Sequence, residues 1–327
     1  MPTINLQTAH HSAPLKSPFR ISRGEKTSAE TVRVTLSDGR STGRGEAVPY
    51  ARYGETIDGV LAEIENIREE IEAGLNRGTL QERLGPGAAR CALDCAFWDL
   101  EAKQSGVPIW TLAGLPEPRP CQTAITVSLD TPDAMADAAR NVPGHILKLK
   151  LDGEADLDRI EAVRAARPET KLIVDANEGF NTANLVDFAR QAAALGVSLI
   201  EQPLPATEDG ALKRVAAPVA ICADESAHTT ADVERLVKLY DVVNVKLDKA
   251  GGLTEGLRMV REARLAGMGV MVGCMVAGSL SMAPAVLLAQ ICDVADLDGP
   301  LWLTDDEPHG LSYANGVVSP PSTDLWG

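Results

Sequence analysis

Two lysines stand two positions apart in "HILKLKLDG", residues 145–153, in a run that otherwise alternates with leucine. In a strand, side chains at i and i+2 share a face, so Lys148 and Lys150 point one way and Leu147, Leu149 and Leu151 the other. Leucines on one face call for burial under helices, which leaves the lysines facing whatever lies inside. A free lysine, with a pKa of about 10.4, is a poor base near neutral pH. A neighbouring ammonium, a nearby metal ion and partial desolvation would each lower it toward a useful range. A lysine tuned in this way can take a proton from carbon. A second one is expected in "DVVNVKL". There Val243, Val245 and Leu247 form the outward set, leaving Asn244 and Lys246 inward and favouring Lys246 over Lys249.

Three further runs end in acids: "KLIVDAN" at Asp175, "VSLIEQP" at Glu201 and "VAICADE" at Asp224. Three inward carboxylates cannot share a cavity without a counter-charge, because repulsion would protonate one of them. An all-oxygen ligand set of this kind suits Mg²⁺, with positions left open for water or substrate. Such a metal would stabilise the enolate formed when a proton leaves carbon next to a carboxylate. A last run, "CDVADLDG", sets Asp296 and Asp298 on one face, a receptor for an ammonium group. The constellation calls for a substrate with a carboxylate at one end and a cation several bonds away.

These residues need elements that bring them together. From residue 120 onward an apolar, β-branched run with a polar end is followed by a helical stretch, and the theme returns. The polar ends fall at Thr126, Lys150, Asp175, Glu201, Asp224, Lys246, Cys274 and Asp296 to Asp298, roughly every 25 residues. That step is a strand, a helix and two short loops. Alternating units of this kind imply a parallel sheet with right-handed crossovers, and eight of them close into a (β/α)₈ barrel with its chemistry at the strand C-termini. In such a ring strand n lies opposite strand n+4. Asp175, Glu201 and Asp224 then form an arc on strands 3, 4 and 5. Lys150 and Lys246 oppose each other on strands 2 and 6, and the strand-8 acids lie across from Glu201.

The first 115 residues read differently. "ETVRVTLSDGRSTGRGEAVP" is a hairpin around an Asp-Gly turn, and "TIDGVLAEIENIREEIEAGL" puts Leu61, Ile64, Ile67, Ile71 and Leu75 on one helical face. "GPGAARCALDCAFWDLEAKQSG" is another helix, closed by Gly106. The expected architecture is therefore α/β. A modified (β/α)₈ TIM-like barrel spans 119–300, an α+β capping domain with active-site loops spans 1–118, and a tail over 301–327 returns to the cap. A formal charge of −15 argues against nucleic acid and anionic membrane as partners. No apolar run is long enough to span a bilayer, the start lacks a secretory core, and six cysteines without CxxC spacing read as reduced. A cytoplasmic protein is expected, and a homo-oligomer is left open.

In order along the chain stand "LKLKLD", "VDANEGF", "IEQPLP", "CADES" and "VNVKLDKAGG". Over essentially its whole length the sequence resembles the enolase superfamily in its muconate-lactonizing subgroup. "GAARCALDCAFWDLEAKQSG", "GCM" and "ADLDGPLWL" are similar to dipeptide epimerases, specifically those acting on L-Ala-D/L-Glu in murein peptide metabolism. The resemblance implies that Asp175, Glu201 and Asp224 bind Mg²⁺ and that Lys150 and Lys246 are the two acid/bases of a 1,1-proton transfer. It further implies that Thr126, Lys148 and Cys274 touch the substrate while Asp296 and Asp298 hold the dipeptide's α-ammonium group. In "PFRISRGEKTS" the position where glutamate-preferring relatives carry an arginine is Lys26, with Arg23 nearby; either could read a side-chain carboxylate. "YARYGET", residues 50–56, is a second covering loop.

Other enzymes of this fold are alternatives: an N-acylamino-acid racemase, an o-succinylbenzoate synthase or a cycloisomerase. None needs an acidic pair for a cation, so "DLDG" argues against them. An acid-sugar dehydratase needs a histidine at the seventh strand end, where "GCM" has none. A non-catalytic binding protein would have no use for opposed lysines around a metal.

Overall fold

The computed structural model of the chain describes residues 4–327. A long strand, β1 (Asn5–Ile21), pairs antiparallel with β2 (Gly24–Ser37), which pairs with β3 (Thr42–Ala47). Val32, Val34 and Leu36 of β2 are buried, as their alternation requires. The β2–β3 turn is set by the Asp38 carboxylate, which accepts from the Arg40 and Ser41 N–H groups. β1 gave no strand signal in the sequence. It buries only Leu6 and Ala13, and its prolines, Pro14 and Pro18, are tolerated because it is an edge strand. Its ladder shifts register between Pro14 and Phe19 and then continues through Phe19–Lys26, Arg20–Glu25 and Ile21–Gly24. The expected loop at 18–28 is thus a hairpin, with Ser22 and Arg23 at its tip.

The helical stretch that follows is two helices, α1 (Ile57–Glu65) and α2 (Arg68–Glu72), sharing the expected face through Ile64, Ile67 and Ile71. After α3 (Arg77–Arg83) comes α4 (Ala88–Ser105), which is buried nearly all round. A helix in that position must satisfy every polar group it carries. Asp99 accepts from the Arg44 N–H of β3 (2.7 Å), while Asp94 accepts from the Thr254 N–H (2.9 Å) and Arg90 donates to the carbonyls of Ala250 and Gly251 (2.6 and 3.2 Å), all three on the barrel side. α4 is therefore bonded to the sheet on one side and to the barrel on the other.

After α5 (Ile109–Leu112) and a short β4 (Cys121–Gln122), eight parallel strands lie side by side in chain order. They are β5 (Ile125–Val127), β6 (Ile146–Lys150), β7 (Lys171–Asp175), β8 (Val197–Glu201), β9 (Ala220–Ala223), β10 (Val242–Lys246), β11 (Gly269–Gly273) and β12 (Val294–Asp296). Full crossover helices α6 (Pro132–Asn141), α7 (Asp156–Ala166) and α8 (Thr182–Ala194) follow the first three. β8 and β9 are joined by a 3₁₀ segment (Asp209–Arg214) instead of a helix, in a connection flanked by Pro203, Pro205 and Pro218. Next come the one-turn α9 (Val233–Leu236) and α10 (Leu247–Ala250), then α11 (Leu253–Leu265) and α12 (Ser279–Ala289).

Ladders run from β5 round to β12, but no ladder joins β12 to β5. That seam is closed by the Ala124 N–H on the Ala295 carbonyl (2.8 Å), the Leu297 N–H on Thr123 Oγ1 (2.7 Å) and the Thr126 N–H on Asp298 Oδ2 (2.7 Å). Leu147, Leu149, Val243 and Val245 pack outward under the helices. Ile173, Leu199, Cys222 and Met271 form a separate plug inside, as a packed barrel interior requires. In the tail, β13 (Tyr313–Ala314) and β14 (Val317–Val318) pair, and β14 joins β4. Trp326 Nε1 then donates to the Cys95 carbonyl of α4 and the Gly327 N–H to Asp99 Oδ1. Among the described residues no helix is long and apolar enough to cross a membrane.

α4 lies directly on the backbone of β3, which glycine alone permits. A Cβ at Gly45 would sit 2.1 Å from the Ala92 carbonyl oxygen, and one at Gly43 2.2 Å from that of Ala96. Gly45→Ala should destabilise the protein by at least about 1–3 kcal/mol, the cost of overpacking, seen as a lowered denaturant midpoint. Unchanged stability would mean that helix and strand are not in such contact.

Candidate active site

Strand register aligns the first acidic groups. Lys150 pairs with Asp175 across β6–β7, Asp175 with Glu201 across β7–β8, and Glu201 with Cys222 across β8–β9. Asp175 and Glu201 end their strands, whereas Asp224 lies one residue past β9. All three are buried, and one oxygen of each lies within 4.8 Å of the others. Asn244, inward on β10 as its parity requires, donates to Glu201 Oε1 (2.8 Å).

Four ammonium groups interleave with these acids. Lys150 Nζ lies 2.7 Å from Asp175 Oδ2, and Lys246 Nζ lies 2.6 Å from Asp224 Oδ2. Lys148 Nζ is 3.1 Å from Asp175 Oδ2, 2.7 Å from Glu201 Oε2 and 2.7 Å from Asp296 Oδ2. Lys249, set aside in the sequence, reaches Asp224 Oδ1 at 2.5 Å. Burial opposes ionisation of Asp175 and Asp224. The ammoniums outweigh it, Lys150 foremost for Asp175 and Lys246 for Asp224, and hold both carboxyls below the usual range. Burial likewise works against the ammoniums of Lys148 and Lys246, yet facing carboxylates raise both pKa values, led by Asp296 for Lys148 and Asp224 for Lys246. For Lys246 burial is the largest single influence, and Asp224, Glu201 and Asp175 outweigh it only together. Glu201 is the exception among the acids. Burial, and after it the Asp175 charge, push its carboxyl up to about 8.

Above this layer is a cavity of about 210 Å³ whose walls include Lys150, Lys246, Asp224 and Cys274 from the barrel and Phe19, Arg23, Lys26, Tyr50 and Tyr53 from the cap. A narrow recess of about 30 Å³ continues from it toward Thr126, Lys148, Asp296 and Asp298. Of the site residues expected from the sequence, all but Asp175 and Glu201 line the cavity or the recess, and those two lie buried against Lys148 and Lys150. The structure also divides the two cap cations. Arg23 donates to Glu225 Oε1 (2.7 Å) and to the Asn177 carbonyl (2.8 Å), so its fork is engaged. Lys26 lies over the Tyr50 ring, 5.2 Å from its centroid, with no ion pair to a described residue. Phe19, whose ring lies 5.7 Å from Lys150 Nζ, and Glu225 were not foreseen. "CADES" did carry the second acid, but its parity points away from the strand's inward set.

At the recess, Asp298 Oδ2 accepts from the Thr126 N–H, and burial, with the Asp296 charge after it, pushes that carboxyl up to about 6. Asp296 gives Oδ2 to Lys148, while its Oδ1 is buried with no hydrogen-bond partner. An acceptor left bare in this way costs about 1–3 kcal/mol, and an incoming ammonium group would relieve it.

The triad fits a divalent cation on its own chemistry. Three carboxylate oxygens converge, and Glu201 Oε2, though 2.7 Å from Lys148 Nζ, makes no well-directed hydrogen bond. Hard oxygen donors with one under-satisfied member suit Mg²⁺.

Fold and site together define the class. Residues 3–114 match the mandelate racemase/muconate lactonizing enzyme N-terminal domain, and residues 133–324 match the enolase C-terminal domain-like family. The chain belongs to this branch of the enolase superfamily, and it is an isomerase of the racemase and epimerase type. It is 43% identical to the L-Ala-D/L-Glu epimerase of Escherichia coli (strain K12) over 93% of its own length and 96% of that protein's. It is also 43% identical to an N-acetyl-D-glutamate racemase of Pseudoalteromonas sp, over 90% of its length and 94% of that protein's. An enolase family member from Agrobacterium tumefaciens, with homology to dipeptide epimerases and with bound sodium and L-Ala-L-Glu, matches at a TM-score of 0.97 and 50% identity. That match covers 99% of this chain and 100% of the other.

Cation binding at the triad should release a proton from Glu201. Because its carboxyl is held up to about 8, Mg²⁺ affinity should climb by up to about tenfold per pH unit below pH 8 and level off above it. Calorimetry in buffers of different ionisation enthalpy measures the release. Affinity independent of pH between 6 and 8 would contradict it.

Proposed function

We propose that the protein is a dipeptide epimerase, acting on L-Ala-D-Glu and L-Ala-L-Glu by a two-base 1,1-proton transfer. The observation that carries this reading is the placing of Lys150 and Lys246 on β6 and β10, across the ring from each other and facing one cavity, each against a different carboxylate of the triad. Asp175, Glu201 and Asp224 would hold Mg²⁺, which when bound supplies positive charge against the substrate's carboxylate. Lys150 takes the α-proton from one face of the glutamyl carbon, which leaves a planar enolate between the two lysines, and the Lys246 ammonium then delivers a proton to the other face; for the opposite epimer the roles reverse. Each lysine can serve as base only while its carboxylate partner is otherwise engaged. Asp296 Oδ1, with Asp298 beside it, receives the α-ammonium of the first residue. Lys26, free of ion pairs, pairs with the glutamyl side-chain carboxylate, while Arg23 steadies the wall through Glu225. Phe19, Tyr50 and Tyr53 cover the space and exclude water. The six free cysteines fit a reducing, cytoplasmic setting, where murein peptides would be the source of such a dipeptide.

A second reading, racemisation of an N-acylated glutamate, is favoured by the equal identity to the N-acetyl-D-glutamate racemase. It shares the lysines and the triad but leaves Asp296 Oδ1 without a use.

Incubated in D₂O with Mg²⁺, the protein should exchange the α-proton of L-Ala-D-Glu and form its epimer, as followed by NMR. N-acetylated L-Ala-D-Glu and N-acetyl-D-glutamate should react far more slowly, because neither offers an ammonium. Equal turnover of free and acetylated substrates would move the second reading ahead. Lys150→Ala and Lys246→Ala should each lose epimerisation by about 10²–10⁴-fold while retaining exchange of opposite epimers. Epimerisation surviving either change would refute the two-base scheme.

A further inference from the structure

Of the three triad carboxylates, only Asp224 lies beyond its strand. Asp175 and Glu201 are fixed by ladder pairs on both sides, whereas the β9–β10 ladder stops at Ala223. Something else must hold Asp224 in register. Its N–H donates to Gln202 Oε1 (2.8 Å). Its carbonyl accepts from Lys249 Nζ, and Oδ1 lies 2.5 Å from the same nitrogen. Only Oδ2 is left, and it faces Lys246. Lys249 is buried and lies on α10, the single turn that follows Lys246. That turn is itself locked from the cap: the Asp248 carboxylate accepts from the Val48 N–H (2.7 Å), and Arg90 of α4 grips the carbonyls of Ala250 and Gly251.

We propose that Lys249 is a positioning residue, a fixed ammonium that replaces the missing strand pairing of Asp224, holds one carboxylate oxygen and the backbone carbonyl, and turns the other oxygen toward the cation and Lys246. The inference rests on the proposed function, since it assumes a cation at the triad and a mobile Lys246. Without Lys249, Asp224 is free to rotate, and both of its oxygens fall to Lys246, which then competes with the cation for them.

The test is cation affinity, which requires no substrate. Deleting a positive charge close to a cation site should by Coulomb's law alone tighten binding. Loss of a group that orients a ligand weakens it, typically by about 10–100-fold. Calorimetric titration with Mg²⁺ should therefore show Lys249→Met binding about tenfold or more weakly than the parent. Lys249→Gln, neutral yet still an N–H donor, should recover most of that loss. Unchanged or tighter binding by Lys249→Met overturns the proposal. Should that variant not fold, Lys249→Gln decides: equal or weaker binding supports the bracing role, and tighter binding overturns it. Failure of the unmodified protein to bind Mg²⁺ would sink the proposed function and this inference together, whereas normal parent affinity with an unaffected variant would sink this inference alone.

Discussion

Carboxylates and ammonium groups at the barrel mouth are buried on condition of one another. Asp175, Glu201, Asp224 and Asp296 could not be withdrawn from water as bare charges, and neither could Lys148, Lys150, Lys246 and Lys249. Removing one partner of such a buried pair costs about 3–5 kcal/mol. Lys148 is the centre of the arrangement, within reach of three acids from three strands. Its place is structural as much as chemical: it holds the acids together without occupying the cavity above them.

The rest of the fold serves to keep that cluster dry and in register. The C-terminal ends of six strands and the turn α10 supply its members, and the plug of Ile173, Leu199, Cys222 and Met271 closes the barrel beneath it. The cap supplies the cover through two short segments, the hairpin tip at Ser22–Arg23 and the 3₁₀ turn Ala51–Tyr53. α4 joins cap to barrel, bonded to β3 through Asp99 and to the barrel through Arg90 and Asp94. The two cover segments also reach the barrel directly, Arg23 on Glu225 and the Asn177 carbonyl and Arg52 on Glu178.

The residues legible in the sequence are those whose position follows from strand parity. Lys148 and Lys150 share a face because they are two apart, and Asn244 and Lys246 do so for the same reason. The acids at successive strand ends align because parallel ladders keep strand ends level. What escaped was set by other means. Lys249 belongs to a turn after the strand, where parity no longer applies. Phe19 enters the cavity from β1, whose prolines and polar residues hide its strand character, and the hairpin at Arg23 looked like a loop for the same reason. Glu225 points at Arg23, a partner 202 residues away that no local pattern links to it. The connection from β8 to β9 reads as one more βα unit because spacing alone does not reveal that a 3₁₀ segment stands where the helix would be.

The barrel wall has one joint of a different kind. Seven contacts between neighbouring strands are backbone ladders, but β12 meets β5 partly through the side chains of Thr123 and Asp298. Asp298 staples the seam through the Thr126 amide and also faces the recess where a substrate's amine would enter. Under the proposed function, one side chain therefore carries both a share of the ring closure and a share of ligand choice. A ladder is indifferent to which residues it joins, whereas a staple is written in residue identity. Along this seam a lineage that replaced Asp298 would also have to do without one of the three bonds that close the ring.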